Sequence, residues 1–488
     1  MLRLSANLSR ATRATRATRV TGLTSCRSTS LISTHNFTTT TQLLATPRQK
    51  EGKSKQILRR KVVEKEKVKK STGLTHHPFK DAVQQLNLEK LAPPMDYVEP
   101  LSKDCLSSST ITVYPSDIEE KLRTFQAFKK FQHHEMFRNP VSLTTSNTVK
   151  IYDSFVKNLT NESKTNRKYI DGIKGSGKST LVNQALALSL QEFENDVVIL
   201  HLHSADIIGN GSSDYFRNNK LGLYQQPMAT KRWLRKILNV NKDVFQKLKL
   251  TQDVKFYQDK QEYNLKAGEA SLYDYLSQNR EINKGQPTTA FQFFINQLKQ
   301  HSRTVPVILS VDDFNALADF STTQYRSPDF KPIHISEFEL GDFILKAASG
   351  ELSFAKGGVL LAKSCDFAPA RKTTHVAVYP HDEYDPYMKY PKLDISVSQR
   401  LASNGGIEPV KVSPLSKDEV RALLSFWRDQ QVLITRQDFH KKEFNDDQAE
   451  VVEQEIDPEL QFEKLVQSSF VVSQGNPYGI LKHNLISY

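Results

Sequence analysis

Cysteine is scarce in this 488-residue chain, which has three: Cys26, Cys105 and Cys365. Their wide separation excludes a disulfide framework and the paired spacing of a cysteine-ligated metal site, so we expect buried or inert thiols in a reducing compartment. Long hydrophobic runs are also missing, since no stretch approaches the roughly 18 consecutive apolar residues of a membrane-spanning helix. With 38% apolar residues, the chain can still bury a sizeable core. The sequence therefore predicts a soluble or peripherally attached globular protein.

Acidic residues are absent from the first fifty positions. That stretch has eight Lys/Arg, and 18 of its residues are Ser or Thr. An acid-free segment rich in arginine and hydroxyl side chains is typical of a mitochondrial transit peptide. A secretory signal is excluded, because there is no apolar run of about 7–15 residues. We therefore predict that residues 1–50 are a transit peptide and that the protein works in the mitochondrial matrix.

The positive charge of the chain is confined to its N-terminal part. The net charge is +13, yet residues 1–70 hold 17 Lys/Arg against 3 Asp/Glu and the remaining residues hold 50 against 51. The body is therefore balanced and lacks the overall electrostatic footprint of a nucleic-acid-binding protein. Residues 51–71 form a second basic run, which is either solvated or able to lie on RNA phosphates. We predict that any RNA contact comes from this N-terminal segment or from local patches.

Short apolar runs recur along the body of the chain. Asp196–His203, Thr304–Asp313 and Gly357–Ser364 are continuous apolar runs of the kind found in strands buried on both faces. Helical patterns lie between them, and this alternation predicts an α/β fold with a doubly wound parallel sheet.

Composition divides the chain into segments. After the transit peptide we expect a basic linker and N-terminal arm (51–165), the sheet-containing core (166–410) and a small C-terminal helical lid (411–488). The lid is indicated by Val420, Leu423, Leu424 and Trp427, which fall on one helix face. Within the core, a long insert over residues 205–300 is predicted to be mostly helical.

A phosphate-binding loop follows a short strand predicted at Tyr169 and Ile170. Its pattern is G-x-x-x-x-G-K-S, with Gly172, Gly177, Lys178 and Ser179 at the defining positions. Glycines let backbone N–H groups turn toward an anion, and the N-terminus of the following helix adds the positive end of its dipole. Lys178 is expected at the β- and γ-phosphates and the Ser179 hydroxyl at Mg²⁺. The predicted nucleotide-binding residues are Gly172, Ile173, Lys174, Gly175, Ser176, Gly177, Lys178, Ser179 and Thr180.

The second half of the site is an apolar strand that ends in two acids. The run VILSV is followed by Asp312 and Asp313. Asp312 is predicted to hold Mg²⁺, usually through water. Asp313 stands where many ATPases carry a glutamate that polarises the attacking water, and it is a weak candidate for a catalytic residue. The alternative is a pair of strand-end acids that cap a loop.

The third apolar run, GGVLLAKS, ends in Ser364. In ATPases with an additional strand between the phosphate-loop strand and the acid-ended strand, a polar residue at this end senses the γ-phosphate. The order of the motifs therefore predicts a P-loop NTPase fold of the additional-strand, AAA-like type. Ser364 is the candidate sensor.

The base and the lid contact are less clearly specified. Gly475-Asn476-Pro477 is predicted to bring the lid over the nucleotide, and Tyr478 stands where an arginine often follows. The triplet Asn241-Lys242-Asp243 lies in the insert at the wrong spacing for a guanine-reading motif, and Lys363 and Asp366 are one position too far apart. The predicted ligand is therefore left open between GTP or GDP and ATP, with Mg²⁺.

Several stretches around these motifs resemble the death-associated protein 3 family of mitochondrial small-subunit ribosomal proteins. The resemblance runs from about Tyr169 to the C-terminus and is most specific in the Asp312–Leu317 continuation after the acid-ended strand. The stretches that carry it are YIDGIKGSGKS, VILHLHSADI, LYQQPMATKRWL, SVDDFNALAD, GGVLLAKS and SQGNPYGILKH.

This resemblance implies a P-loop subunit that binds GTP or ATP in the head of the small subunit of the mitochondrial ribosome. Its partners would be small-subunit ribosomal proteins. Any rRNA contact is expected from the basic N-terminal segment because of its charge, and the resemblance implies nothing there. Lys178, Ser179 and Asp312 match the nucleotide site of the family. Asp313 and Tyr478 depart from the pattern of an active ATPase, so efficient turnover is not expected.

Two other classes of protein compete with this interpretation. A matrix AAA-like ATPase acting as a chaperone or remodeller needs an arginine finger and a catalytic glutamate, whereas the chain offers Arg371 and Asp313. A switch GTPase is disfavoured by the incomplete base-reading motif. The preferred hypothesis is a structural ribosomal protein that keeps a bound nucleotide.

Overall fold

The computed structural model describes residues 94–107, 109–258, 261–279, 288–367, 371–380, 393–433 and 457–484. The predicted transit peptide and the basic run at 51–71 lie outside these residues, and both stay predictions. Among the described helices, none is long and apolar enough to cross a membrane.

A five-stranded parallel sheet forms the centre of the fold. Its strands are β1 (Arg167–Asp171), β2 (Val198–Leu202), β3 (Val307–Val311), β4 (Gly357–Ala362) and β5 (Glu408–Lys411). They lie in the order β5-β1-β4-β3-β2, and all neighbours are parallel. The additional strand β4 thus lies between the phosphate-loop strand β1 and the acid-ended strand β3, which confirms the predicted fold class.

The apolar runs of the inner strands are explained by burial on both faces. Every residue of β2, β3 and β4 is buried. The start of β4 is packed so closely on β3 that a Cβ atom at Gly357, where φ is +142°, would lie 1.9 Å from the carbonyl oxygen of Val307. This position therefore requires glycine.

Helices cover both faces of the sheet. The helix that follows the phosphate loop, Lys178–Glu192, is buried on nearly all sides from Leu181 to Leu190, and its buried residues include the polar Asn183, Gln184 and Ser189. The α-helices are Ser116–Thr124, Ser146–Ile151, Lys178–Glu192, Asp206–Gly209, Pro227–Val240, Lys242–Lys247, Leu272–Gln278, Ala290–His301, Phe314–Ala318, Glu339–Ser349, Thr373–Val378, Ile395–Ala402, Lys417–Asp429, Pro458–Ser473 and Pro477–Asn484.

Among the described residues, four antiparallel strand pairs lie outside this sheet. They are Ile111–Val113 with Val141–Leu143, Phe216–Asn218 with Leu223–Gln225, Val254–Gln258 with Gln261–Leu265, and Thr322–Arg326 with Pro332–His334. Two of these pairs lie in the insert at 205–300, which is therefore less helical than predicted.

The described N-terminal residues pack into the body. Ile118, Leu122 and Phe125 are buried in the main core. The C-terminal helices have a second apolar core around Val420, Leu424, Trp427, Val466 and Ile480, and Met95 and Phe137 from the N-terminal region are part of it. The N-terminal residues thus contribute to the cores of both the sheet region and the helical lid.

Candidate nucleotide site

The phosphate loop joins β1 to the N-terminus of a long helix. Gly175 and Gly177 have φ values of +78° and +90°, a conformation that L side chains rarely adopt. A Cβ atom at Gly177 would meet no atom within 4 Å, so the backbone there faces open space. The hydroxyl of Ser176 is buried and has no hydrogen-bond partner among the described residues. An open backbone with an unsatisfied buried hydroxyl fits an anion that binds in the loop.

Lys178, the lysine predicted to contact phosphate, lies at the base of this loop. Its Nζ donates to the carbonyl oxygens of Gly172 at 3.0 Å and Ile173 at 2.6 Å, and it lies 3.7 Å from the Sγ of Cys365. Burial lowers the pKa of Lys178, and nearby Cys365 partly opposes this change. In this structure the ammonium group is therefore satisfied by the loop itself, and Cys365 belongs to the wall of the site.

The two strand-end acids are buried side by side after β3. Their side chains are 5% exposed for Asp312 and 12% exposed for Asp313. Asp313 adopts a left-handed conformation with φ +54°, and its backbone N–H donates to Oδ1 of Asp312 at 2.9 Å. A left-handed aspartate at a strand-to-helix turn is uncommon, and its conformation turns the second acid into the cavity described below.

A lysine that sequence analysis missed lies between these acids. Lys129 Nζ is 2.8 Å from Oδ2 of Asp312 and 3.0 Å from each carboxylate oxygen of Asp313. Burial lowers the pKa of Lys129, but attraction and hydrogen bonding to the two carboxylates outweigh burial, so the pKa is raised. The contact joins positions 184 residues apart, and no local pattern marks this lysine among the 67 basic residues of the chain.

The segment that carries Lys129 is anchored to the helix behind the phosphate loop. Asn183 Nδ2 donates to the carbonyl oxygen of Ala127 at 3.1 Å, and Gln132 Nε2 donates to Oγ1 of Thr180 at 3.3 Å. The described N-terminal region therefore contributes directly to the site.

A cavity of about 820 Å³ lies over the loop and matches the size of ordinary ligand pockets. Residues 174–180 line it, so seven of the nine predicted nucleotide-binding residues are brought together there, including Ser179 and Thr180. Asp313 also lines the cavity. Gly172 and Ile173 lie behind the loop and present the carbonyl groups that hold Lys178. The far end of the cavity is apolar and is lined by Val141, Leu143, Leu423, Trp427 and Leu481.

The residues fit a polyphosphate better than they fit a divalent cation. The loop offers open backbone and an unsatisfied hydroxyl. Both oxygens of Asp312 are already engaged, Oδ2 by Lys129 and Oδ1 by the N–H of Asp313. A metal ion at Asp312, even one held through water, would have to displace the Lys129 ammonium group.

Asn315 links the ends of β3 and β4. Its Nδ2 donates to the carbonyl oxygens of Ser364 at 2.7 Å and Phe367 at 3.0 Å, and its Oδ1 accepts from the N–H of Ser364 at 2.8 Å. This explains the Asp-x-x-Asn pattern that follows β3. Ser364, the candidate sensor, lies in the cavity wall, and its Oγ accepts from the N–H of Asp366.

The lid touches the phosphate loop directly. Asn476 Nδ2 donates to the carbonyl oxygen of Lys174 at 2.9 Å, and the N–H of Tyr478 donates to that of Gly175 at 3.2 Å. Tyr478 also lines the cavity. The Gly-Asn-Pro turn therefore lies where the sequence predicted, against the loop.

Two other residues that the sequence analysis named, Arg371 and Lys363, are bonded to neighbouring residues. Arg371 donates to the carbonyl oxygen of Asp319 at 2.9 Å and lies 3.8 Å from the centre of the Phe320 ring. Lys363 pairs with Asp171 at 2.8 Å.

The remaining base-reading candidates are also engaged. Asp366 pairs with Lys174 at 2.6 Å, and Asn241 is buried, with its side chain bonded to the backbone of Ile199. Lys363 and Asp366 line the cavity, but each is engaged in one of these ion pairs, whereas Arg371 and Asn241 are not among the residues that line it.

Comparisons with known proteins agree with the sequence resemblance. Residues 142–483 match the model of the family described as mitochondrial ribosomal death-associated protein 3. Small ribosomal subunit protein mS29 of Neurospora crassa is 25% identical over 342 residues, which cover 67% of this chain and 69% of that protein. The protein of the same name from Schizosaccharomyces pombe is 22% identical over 329 residues, covering 66% of this chain and 65% of that one.

Among solved structures, a Walker-type ATPase of Pyrococcus abyssi aligns with 12% identity and a TM-score of 0.33, covering 74% of this chain and 71% of that one. This likeness is too weak to support an argument, and the fold class rests on the order of the strands. The family match spans 342 of the 488 residues and confirms the predicted family. The chain belongs to the mitochondrial ribosomal death-associated protein 3 family.

Proposed function

We propose that this protein is a structural constituent of the small subunit of the mitochondrial ribosome in the matrix, and that it holds a purine nucleotide, GTP or GDP or ATP, as a structural ligand. It supports mitochondrial translation by keeping a fold that its ribosomal neighbours recognise. The names of the two relatives, both small ribosomal subunit proteins, support the ribosomal part of this proposal.

The observation that carries the nucleotide part is the meeting of three regions at one loop. The phosphate loop belongs to the sheet, the Asn476 and Tyr478 contacts belong to the lid, and the anchors of the Lys129 segment belong to the N-terminal region. A ligand in the cavity touches all three regions. Because a ligand that binds the native state stabilises it by mass action, such a ligand would hold these regions together.

Within this proposal, the backbone of residues 172–180 and Lys178 receive the phosphates, and the apolar end of the cavity receives the base. Ser179 is the residue positioned to reach a Mg²⁺ ion that arrives with the phosphates, whereas Asp312, the acid that the sequence predicts on the metal side, is paired with Lys129. Mg²⁺ would supply charge neutralisation of the phosphates. Among the described residues, no side chain selects guanine over adenine.

The groups that hydrolysis needs are engaged elsewhere, which favours a structural role for the nucleotide. Asp313, the weak catalytic candidate, is bonded to Lys129 and is not free to polarise water. Tyr478 stands in place of the lid arginine, and Arg371 packs on Phe320. We propose that the protein is not an efficient NTPase.

The alternative is a matrix AAA-like ATPase that acts as a chaperone or remodeller. The order of the sheet favours this alternative, because AAA-like ATPases also have an additional strand between the phosphate-loop strand and the acid-ended strand. It requires a free acid at the end of β3 and an accessible arginine finger, and neither Asp313 nor Arg371 meets that requirement among the described residues.

One experiment separates these functions. Tagged protein from lysed mitochondria is sedimented through a sucrose gradient, and nucleotide is extracted from the peak fraction and quantified against protein. We expect co-sedimentation with the small subunit and close to one nucleotide per protein. A free oligomer that hydrolyses ATP would overturn the proposal, and ribosomal sedimentation without nucleotide would overturn its nucleotide part.

A further inference from the structure

The contact between Lys129 and the acid pair is the feature of the site that the proposed function does not explain. Two adjacent carboxylates, 5% and 12% exposed, are costly to bury unless a cation neutralises them. In P-loop NTPases the end of this strand faces the divalent ion. Here an ammonium group from the chain itself makes three contacts of 2.8 to 3.0 Å with the pair.

Lys129 is not a mobile surface lysine. Its side chain is 26% exposed, and the residues on both sides are fixed by the Asn183–Ala127 and Gln132–Thr180 hydrogen bonds. These anchors attach the segment to the phosphate-loop helix itself. The position of the ammonium group relative to the loop is therefore set by the fold.

The other lysines of the site are used differently. Lys178 is bonded to the carbonyl groups of the loop, Lys363 is paired with Asp171, and Lys174 is paired with Asp366. Among the described residues, Lys129 alone forms ion pairs with Asp312 and Asp313.

We propose that Lys129 is a resident counter-cation of the nucleotide site, which takes the place of a divalent ion at Asp312 and Asp313 and keeps both acids away from catalysis. This inference rests on the proposed function and deepens it, because it explains how the site retains a nucleotide without hydrolysing it. Lys129 is a positioning residue: it acts through the acids and does not touch the loop.

Two consequences follow from this charge arrangement. Nucleotide affinity depends little on Mg²⁺, because the acids that would recruit the ion are already neutralised. Removal of the ammonium group leaves two uncompensated buried carboxylates, which creates a site for a divalent cation. A purely structural lysine would alter stability without creating metal affinity.

The test uses the full-length mature protein and its Lys129→Gln variant. Mn²⁺ binding to the nucleotide-free proteins is measured by electron paramagnetic resonance. Affinity for fluorescent GTP and ATP analogues is then measured in EDTA and in excess Mg²⁺. The matched control is Lys150→Gln, which removes the same charge from an exposed residue that does not line the cavity.

We expect Lys129→Gln to bind Mn²⁺ about tenfold more tightly than the wild type, because no ammonium group competes for the acids. Nucleotide affinity of the wild type should change less than about threefold with Mg²⁺, whereas that of Lys129→Gln should gain about tenfold. Lys150→Gln should match the wild type in both assays. Equal Mn²⁺ binding by wild type and Lys129→Gln overturns the inference, as does a strong Mg²⁺ dependence of the wild type.

The nucleotide site and the role of Lys129 as a counter-cation are tested by different measurements. A wild type that binds no nucleotide in either buffer removes the nucleotide site, while the Mn²⁺ comparison still decides the role of Lys129. If Lys129→Gln is too unstable to purify, the double variant Lys129→Gln/Asp313→Asn removes one charge of each sign. The inference expects this double variant to recover thermal stability, and failure to recover it counts against a counter-cation.

Discussion

The backbone N–H of Tyr478 donates to the carbonyl oxygen of Gly175 at 3.2 Å, so the C-terminal helical lid is bonded to the phosphate loop itself. The two residues are so close that a Cβ atom on Gly175 would lie 2.2 Å from the Cβ of Tyr478. The loop glycine thus serves the lid as well as the anion. We therefore expect a substitution in the loop to disturb the packing of the lid, and a substitution in the lid to disturb the loop.

Gly175→Ala tests this connection. The added methyl group meets Tyr478 and must also adopt a φ of +78°, so we expect a loss of about 2–4 kcal/mol of unfolding free energy, measured by urea denaturation. Gly177→Ala is the matched control: its φ is +90°, but its Cβ meets nothing within 4 Å. It should lose only the strain component, about 1–2 kcal/mol. Equal losses in the two variants would contradict the close lid contact.

Asn315 is expected to be a stability residue. It is 2% exposed and makes three hydrogen bonds to the backbone of Ser364 and Phe367. Asn315→Ala removes the partner of those partly buried backbone groups and should cost about 1–3 kcal/mol. Asn239→Ala, at an exposed helix position, should stay within about 0.5 kcal/mol of the wild type. A thermal unfolding series compares the two, and an unaffected Asn315→Ala variant would refute the role of this side chain as a link between β3 and β4.

Glu339 makes stability depend on pH. Burial raises its pKa from 4.5 to about 7, and a hydrogen bond from Gln225 partly offsets the effect. Because the folded pKa lies above the unfolded one, the stabilising contribution of the protonated acid is complete below pH 4.5 and is lost as the pH rises through 7. Glu339→Gln should therefore raise the free energy of unfolding by at most about 3 kcal/mol at pH 8. At pH 5 it should raise it only slightly.

The measurement for Glu339 is melting temperature against pH for the wild type, Glu339→Gln and the control Glu269→Gln. Glu269 is exposed, so its variant should follow the wild-type curve throughout. A difference between Glu339→Gln and wild type that is the same at pH 5 and pH 8 would rule out titration of Glu339 as its source.

The N-terminal prediction concerns import. Deleting residues 1–50 should leave the protein in the cytosol, because the acid-free, arginine-rich segment would be gone. A chain that keeps residues 1–50 but lacks 51–71 is the control and should reach the matrix. Protease protection of isolated mitochondria reports both results. Import of a chain that starts at Glu51 would contradict the transit-peptide prediction.

Much of the fold was predictable because its signals are local. The phosphate loop is contiguous, and strands buried on both faces appear as continuous apolar runs. β5 was missed because, at the sheet edge, it has a single buried residue, Val410, between polar neighbours. The insert was predicted as helical because its charged residues concealed two short strand pairs.

The site was predictable only in part, for a similar reason. Lys178, Ser179 and Asp312 belong to patterns with fixed spacing. The contact of Lys129 with Asp313 joins residues 184 positions apart, and the bond from Tyr478 to Gly175 joins residues 303 positions apart. Such pairs depend on the tertiary fold and leave no periodic pattern in one sequence.

The central claim is that the nucleotide is a structural ligand rather than a substrate for hydrolysis. Lys178→Ala removes the cation at the loop, so it should lose the nucleotide, lower the melting temperature and reduce incorporation into the ribosome. The lost stabilisation is about 2.7 kcal/mol if the nucleotide is present at a hundredfold excess over its dissociation constant. Lys417→Ala, at an exposed lysine of the lid, is the control.

The most direct measurement pairs Lys178→Ala with Asp313→Asn in cells that depend on respiration. Nucleotide bound to purified small subunits is quantified in each strain, together with the rate of mitochondrial protein synthesis. We expect Lys178→Ala to lose nucleotide and translation together, while Asp313→Asn keeps most of both because no efficient hydrolysis step is there to be lost. An Asp313→Asn protein that retains its nucleotide but abolishes mitochondrial translation would contradict the account and establish an active NTPase.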